Sequence, residues 1–245
     1  MGLNIDSLVT ENKNVLSELE RLIDYRFTDL RLLQKALIHS SYAFEQGQSG
    51  EDNQVLEFLG DAVLDLVIGH LLCSRYPDLR EGDLTRFRAS LVNESHLAFM
   101  ARSVKLGRFL CLGKGEDASS GRNKSSILSC AFEALLGAVF EDSGYASAVQ
   151  LVEKLFADSL KEKKAELLLA DAKSRLQEKL QEEFNEAPTY RLVGEDGPSH
   201  CKQFRVAVVF RDEVLGTGMA GSKKEAEQRA AAAALTEQKA GSSSD

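Results

Sequence analysis

The spacing of apolar residues changes once along this chain, and that change fixes most of what it can fold into. From Leu16 to about Phe156, apolar side chains recur every three or four residues, with no sustained alternation of period two. This is the pattern of amphipathic and buried helices. Three stretches rich in Gly, Ser, Asp or Asn interrupt it as loops: Gln46–Asp52, Pro77–Gly82 and Gly113–Lys124. The charged run Lys161-Glu-Lys-Lys164 and Leu167-Leu-Leu169 read as a helix end and a connector, with a continuous helix also open. After Asp171 a helix to Phe184 places Leu176 and Leu180 inward. Three strands follow, over Thr189–Val193, Gln203–Phe210 and Glu213–Met219. Phe204, Val206, Val208 and Phe210 alternate with Arg205, Ala207 and Val209, as a one-sided sheet requires. An alanine-rich helix runs from Lys223 to about Lys239. The expected organisation is an all-α domain (1–164), a linker (165–170), a small α+β module of order α-β-β-β-α (171–240) and a loose tail (241–245).

Charge narrows the partners. The 245 residues carry 30 Lys and Arg against 38 Asp and Glu, with 19 basic and 25 acidic through residue 170 and 11 and 12 from 171 to 240. Neither part is basic, so any phosphate binding must come from a local cluster. No apolar run reaches the length of a membrane span, and the polar opening predicts no signal peptide. Cys73, Cys111, Cys130 and Cys201 lie far apart without a C-x-x-C pair, which predicts neither a disulfide framework nor a zinc knuckle and suits a reduced cytoplasmic setting.

The most informative segment is Asn53–Cys73. Between Val55 and Gly69 the only charges are Glu57, Asp61 and Asp65, at i, i+4 and i+8 on one stripe of an otherwise apolar helix. A helix apolar all round is expected to be buried. In Ile127–Phe140, Glu133 is again the only charged residue. Unpaired buried carboxylates are costly, so cations must face them. Three solutions stay open: a divalent metal held by oxygens, a buried Arg or Lys network, or protonated acids. Asp65 suits an arginine partner. Gly113-Lys-Gly115 lacks the spacing of a phosphate loop, and no nucleotide site is expected.

Asn53-Gln-Val-Leu-Glu57-Phe-Leu-Gly-Asp61-Ala-Val-Leu resembles the signature of bacterial ribonuclease III. His39-Ser-Ser-Tyr42, Glu81-Gly-Asp-Leu-Thr, Leu91-Val-Asn93, Leu112-Gly-Lys-Gly-Glu116 and Ser126-Ile-Leu…Glu133-Ala-Leu-Leu-Gly137 follow in the family's order. The resemblance spans residues 18 to 239. It implies a helical endonuclease domain in which Glu57, Asp61 and Glu133 hold catalytic Mg²⁺, with Mn²⁺ as a substitute, and Asp61 and Glu133 carry catalysis. Cys130 occupies the position of the family's fourth acid, and a thiol is a poor ligand for so hard an ion. Gln54 and Val55 also depart from the signature. By the same resemblance Glu81 organises the site from behind the ligands, and Phe58 inserts into a second subunit of a homodimer.

Ser222 and Glu225 form an S-x-x-E capping pattern, yet Lys223 and Lys224 stand in the first helical turn, against the helix dipole. Two solvated lysines and an anion site are both open on the residues alone. Ser222-Lys-Lys-Glu-Ala-Glu-Gln-Arg resembles the strongest motif of the double-stranded RNA-binding domain. This implies RNA contacts from Lys223 and Lys224, from the loop Gly197-Pro-Ser-His200, and from Ser174, Gln177, Glu178 and Gln181 on the first helix. Ala172 stands where that domain usually has an aromatic residue, which predicts looser packing. The implied activity is metal-assisted hydrolysis of double-stranded RNA by water, leaving 5′-phosphate and 3′-hydroxyl ends, in the processing of ribosomal, messenger and other structured RNAs. The alternative is a binding protein of the same fold whose cleavage is lost through Cys130.

Overall fold

A computed structural model describes residues 4–198 and 201–241, with side chains to residue 236. It divides into two compact units, residues 1–161 and 162–245. The first contains α1 (Ile5–Ile23), α2 (Leu30–Ala36), α3 (Ser40–Glu45), α4 (Gln54–Arg75), α5 (Glu81–Val92), α6 (Glu94–Ser103), α7 (Lys114–Ala118) and α8 (Ser125–Leu155). α9 (Ala157–Ala170) carries the chain across the division. The segment expected to be a linker, 165–170, is therefore helical, in keeping with a Lys-, Glu-, Leu- and Ala-rich run of strong helix formers. Gly113–Lys124 also departs from a plain loop, since α7 and a 3₁₀ turn at Gly121–Asn123 lie within it.

α8 is the spine of the first unit and packs against α2, α4 and α6. Leu128, Phe132, Leu135, Leu136 and Val139 are all buried on it. Gly144, at φ 75 and ψ −169, breaks its helical path. Just before that break the Asp142 carboxylate accepts from the Tyr25 hydroxyl (2.7 Å) and from the backbone N–H groups of Thr28 (3.1 Å) and Asp29 (2.9 Å), which fastens the chain after α1 to α8.

α4 crosses α8 with backbone against backbone. A Cβ on Gly60 would lie 1.8 Å from the Glu133 carbonyl oxygen, and one on Gly137 would lie 2.1 Å from that of Leu56. No L side chain fits either place. The paired glycines thus set how closely the helices approach, and Glu57 and Glu133 stand one turn from them. The expectation that α4 is buried all round fails. Leu56, Val63, Leu64, Val67 and Ile68 are buried, but Phe58 is 80% exposed, and Val55 and Leu66 are exposed with it. The surplus apolar residues form an outer face that a single chain leaves uncovered.

The second unit contains α10 (Ala172–Phe184), β1 (Thr189–Asp196), β2 (Gln203–Phe210), β3 (Glu213–Ala220) and α11 (Lys223–Gly241). Its sheet is antiparallel in the order β1-β2-β3. Leu176 and Leu180 point into its core, as expected, together with Val208, Phe210, Ala230 and Ala234. Ala172 belongs to that core and is fully buried, so the small side chain is packed. α11 lies close on the sheet because both surfaces are small there. A Cβ on Gly218 would fall 2.3 Å from the Ala226 carbonyl oxygen. The one-sided pattern expected for β2 does not hold at Ala207 and Val209, which are buried like their neighbours. β2 is the central strand, and β1 and β3 flank these positions through the pairs Thr189–Val209 and Thr217–Ala207.

Candidate functional site

The site is assembled at the crossing of α4 and α8, with a third contribution from the start of α3. Ile38 and Cys111 form an isolated parallel bridge, and the Asn53 N–H donates to the Ile38 carbonyl at 2.9 Å. Buried Asn53 also donates from Nδ2 to the Ala36 carbonyl (3.3 Å), anchoring the start of α4. His39 caps α3, its Nδ1 lying 2.8 Å from Ser41 Oγ, and Ser41 Oγ accepts from the Gly113 N–H at 2.9 Å. The blocks around His39, Asn53 and Gly113, distant in sequence, thus share one corner. The first two, with the start of α8, line a cleft of about 230 Å³ whose walls include His39, Ser40, Asn53, Glu57, Ser126 and Cys130.

At this cleft Glu57, Cys130 and Glu133 come together, each half-buried and each offering a donor atom within 4.8 Å of the others. Cys130 and Glu133 share a face of α8 through their i, i+3 spacing. No lysine or arginine forms an ion pair with Glu57, Asp61 or Glu133 among the described residues. Asp65 does meet a cation, Arg88 at 3.9 Å, as its place on the stripe suggests. Burial, then the charges of Asp61 and Glu57, push the Glu133 carboxyl up to about 7. Burial, a hydrogen bond to Glu57 and the charges of Glu57 and Glu133 push the Cys130 thiol up to about 12. Glu57, Cys130 and Glu133 are thus a group that could hold a metal ion. The carboxylates fit a hard ion, but a protonated thiol does not.

Two expected members stand apart. Asp61 is exposed, a turn further along α4, and acts on Glu133 by charge without joining the close trio. Glu81 lies exposed in the first turn of α5, where its carboxylate accepts from the Thr85 hydroxyl at 3.0 Å. It is a helix-terminal acid, favourably placed in the dipole. Sequence marks His39 only as part of the block His39-Ser-Ser-Tyr42 and gives it no role in the site, because a lone histidine carries no spacing signal. Folding brings it in, by setting the Ile38–Cys111 bridge beside α4.

In the second unit Ser174, Gln177, Glu178 and Gln181 share the exposed side of α10, and Lys223 and Lys224 are exposed at the start of α11. His200 lies outside the described residues. The capping pattern is half formed. Ser222 Oγ accepts from the Glu225 N–H (3.2 Å), but the Glu225 carboxylate accepts from Arg229 at 2.7 Å instead of reaching back. Nor does Lys223 stand unpaired. It lies 3.5 Å from Glu195, which also pairs with Lys202, and both ammonium groups sit 5.5 Å from the Phe204 ring centre. The Lys202 hydrogen bond, with Lys223 beside it, holds Glu195 below the usual carboxylate range.

Residues 29–160 match the family profile described as ribonuclease-III-like, and residues 172–238 match the double-stranded RNA binding motif. Ribonuclease 3 of Desulfotalea psychrophila is 63% identical over 96% of this chain and 98% of its own length. This chain belongs to the ribonuclease III family. Ribonuclease 3 of Oleidesulfovibrio alaskensis is 47% identical over 90% of this chain and 96% of its own. The solved nuclease domain of ribonuclease III from Campylobacter jejuni is 40% identical, with a TM-score of 0.55 over 58% of this chain and 96% of that one. The chain is an endoribonuclease of double-stranded RNA, and the reading as a binding protein without cleavage is not favoured. The ribonuclease III family is metal-dependent. Among the described residues no helix is long and apolar enough to cross a membrane.

Proposed function

We propose that Glu57, Asp61 and Glu133 hold the divalent cation for cleavage, Mg²⁺ with Mn²⁺ able to replace it, and that Asp61 and Glu133 carry catalysis. The observation behind this is the meeting of Glu57 and Glu133 at a glycine-glycine crossing, with no basic side chain among the described residues pairing with them. A bound divalent ion supplies acidity to an attacking water and charge neutralisation to the scissile phosphate. The chain's own part is to fix the acids on two rigid helices, where their mutual repulsion disfavours the empty site. The attack leaves 5′-phosphate and 3′-hydroxyl ends, on duplex stems of ribosomal, messenger and other structured RNAs.

Ser174, Gln177, Glu178 and Gln181 offer polar groups at the spacing of one helix face, suited to 2′-hydroxyls in a minor groove. Lys223 and Lys224 meet phosphate at the start of α11, Lys223 exchanging Glu195 for it. Phe58, exposed on α4 between Val55 and Leu66, enters a second copy of the chain, giving a homodimer with one active centre per strand. In the solved Campylobacter jejuni nuclease domain a flexible region is involved in dimer formation. Four unpaired cysteines suit the reducing cytoplasm.

The test is cleavage of a perfect RNA duplex with Mg²⁺, and with Mn²⁺ in parallel. Products that can be ligated through 5′-phosphate and 3′-hydroxyl ends are expected from both. Tight binding without products in either metal would defeat the proposal. For the dimer, Phe58→Asp should halve the mass seen by light scattering while leaving the helical content intact.

A further inference from the structure

The donor set at the crossing of α4 and α8 disagrees with a purely hard-ion site. Resting on the reading of this crossing as the metal centre, we propose that Cys130 makes it thiophilic. Zinc binds there through the Cys130 sulfur and the Glu57 and Glu133 carboxylates, displaces magnesium, and holds the nuclease off. Sulfur and two carboxylate oxygens already lie within 4.8 Å of one another. Donors at a tetrahedral zinc, with Zn–S about 2.3 Å and Zn–O about 2.1 Å, stand roughly 3.5 Å apart. Side-chain rotation of about an ångström therefore closes the set without moving either helix.

Magnesium gains nothing from a thiol, whereas zinc, cadmium and cobalt bind thiolate strongly. On zinc binding the Cys130 S–H bond breaks, a Zn–S bond forms and the proton leaves to solvent. No oxidation state changes. Three protein ligands fill three of four tetrahedral positions, and zinc bound this way lacks the octahedral shell of waters that magnesium retains.

Cadmium is the probe, because a thiolate-to-cadmium charge-transfer band in the ultraviolet reports sulfur ligation directly. Cys73, Cys111 and Cys201 also carry thiols, so the reading is the difference between the unaltered chain and Cys130→Ser. We expect that difference to saturate at one cadmium per chain and to be removed by zinc but not by a large excess of magnesium. In cleavage assays at fixed magnesium, the zinc concentration giving half-inhibition should rise at least about tenfold in Cys130→Asp, which restores an all-oxygen set. No cadmium difference between the two proteins, or equal zinc inhibition in Cys130→Asp, would overturn the proposal and leave the magnesium site standing. Full magnesium-dependent cleavage by Glu133→Gln would overturn both this inference and the metal-site reading beneath it.

Discussion

The two units carry charge in opposite ways. At the α4–α8 crossing, acids are held half-buried against one another with no basic partner among the described residues. At the start of α11, lysines are exposed and one already rests on a carboxylate. The first arrangement stores repulsion, which on the proposed reading a cation relieves. The second keeps Lys202 and Lys223 paired with Glu195, which on the proposed reading they exchange for phosphate. Chemistry at a fixed point calls for a rigid, preloaded site, while recognition of duplex shape calls for contacts that form and break cheaply.

The comparison breaks most severely at Glu133. Glu133→Gln should reduce cleavage by at least about a thousand-fold, since cation stabilisation of the transition state is worth several kcal/mol. Duplex binding should stay within a few-fold. An equal loss of both, in cleavage and filter-binding assays, would mean the two functions are not separable in this way.

Next in size is the crossing itself. Gly60→Ala drives a methyl to 1.8 Å from the Glu133 carbonyl oxygen, and over-packing of this kind costs about 1–3 kcal/mol or more. Thermal unfolding should show the loss, and cleavage should fall with it. Gly82→Ala is the control, because its added Cβ meets nothing within 4 Å. In α5 that change should raise stability by about 0.5–1 kcal/mol.

The stored repulsion has a pH signature in the chain freed of divalent ions by a chelator. The Glu133 carboxyl moves from 4.5 to about 7 on folding. Across that window the folded chain therefore binds more protons than the unfolded one, and this group lowers stability as pH rises. Denaturant unfolding between pH 5 and 7 should show that downward contribution, and Glu133→Gln should remove it. An unchanged slope in the variant would contradict the repulsion argument.

The smallest effects belong to the second unit. Lys223→Ala with Lys224→Ala should weaken duplex binding and lower its salt dependence by a slope of about one for each phosphate no longer neutralised. Glu195→Gln, which frees Lys202 and Lys223, should tighten binding by about two- to five-fold, the scale of exposed ion pairs. Weaker binding by Glu195→Gln would show that the carboxylate positions the lysines instead of occupying them.

Much of this is legible in the sequence, for identifiable reasons. Helical spacing and the shift at Asp171 reveal the two parts because burial imposes those periods. Glu57 and Glu133 stand out because lone charges on apolar helices are expensive. Other features depend on contacts between distant residues. The exposure of Val55 and Leu66 is hidden, because an apolar face awaiting a partner has the same composition as a core, and that of Phe58 follows only from the family resemblance. The hydrogen bond from Thr85 to Glu81 is likewise set by the placement of Glu81 in the first turn of α5, which its motif does not state. Ala207 and Val209 fall on the outward positions of the alternation, which ignores the neighbours of a central strand. Asp61 keeps its stripe but not a place in the trio, since side-chain direction is not set by spacing alone.

The meeting of Gly60 and Gly137 has a genetic consequence. Each would-be Cβ collides with a main-chain carbonyl rather than with a side chain, so trimming a neighbour cannot make room. Substitutions there have no local suppressor, and a selection for revertants of Gly60→Val should return glycine at that codon rather than compensating changes across the interface.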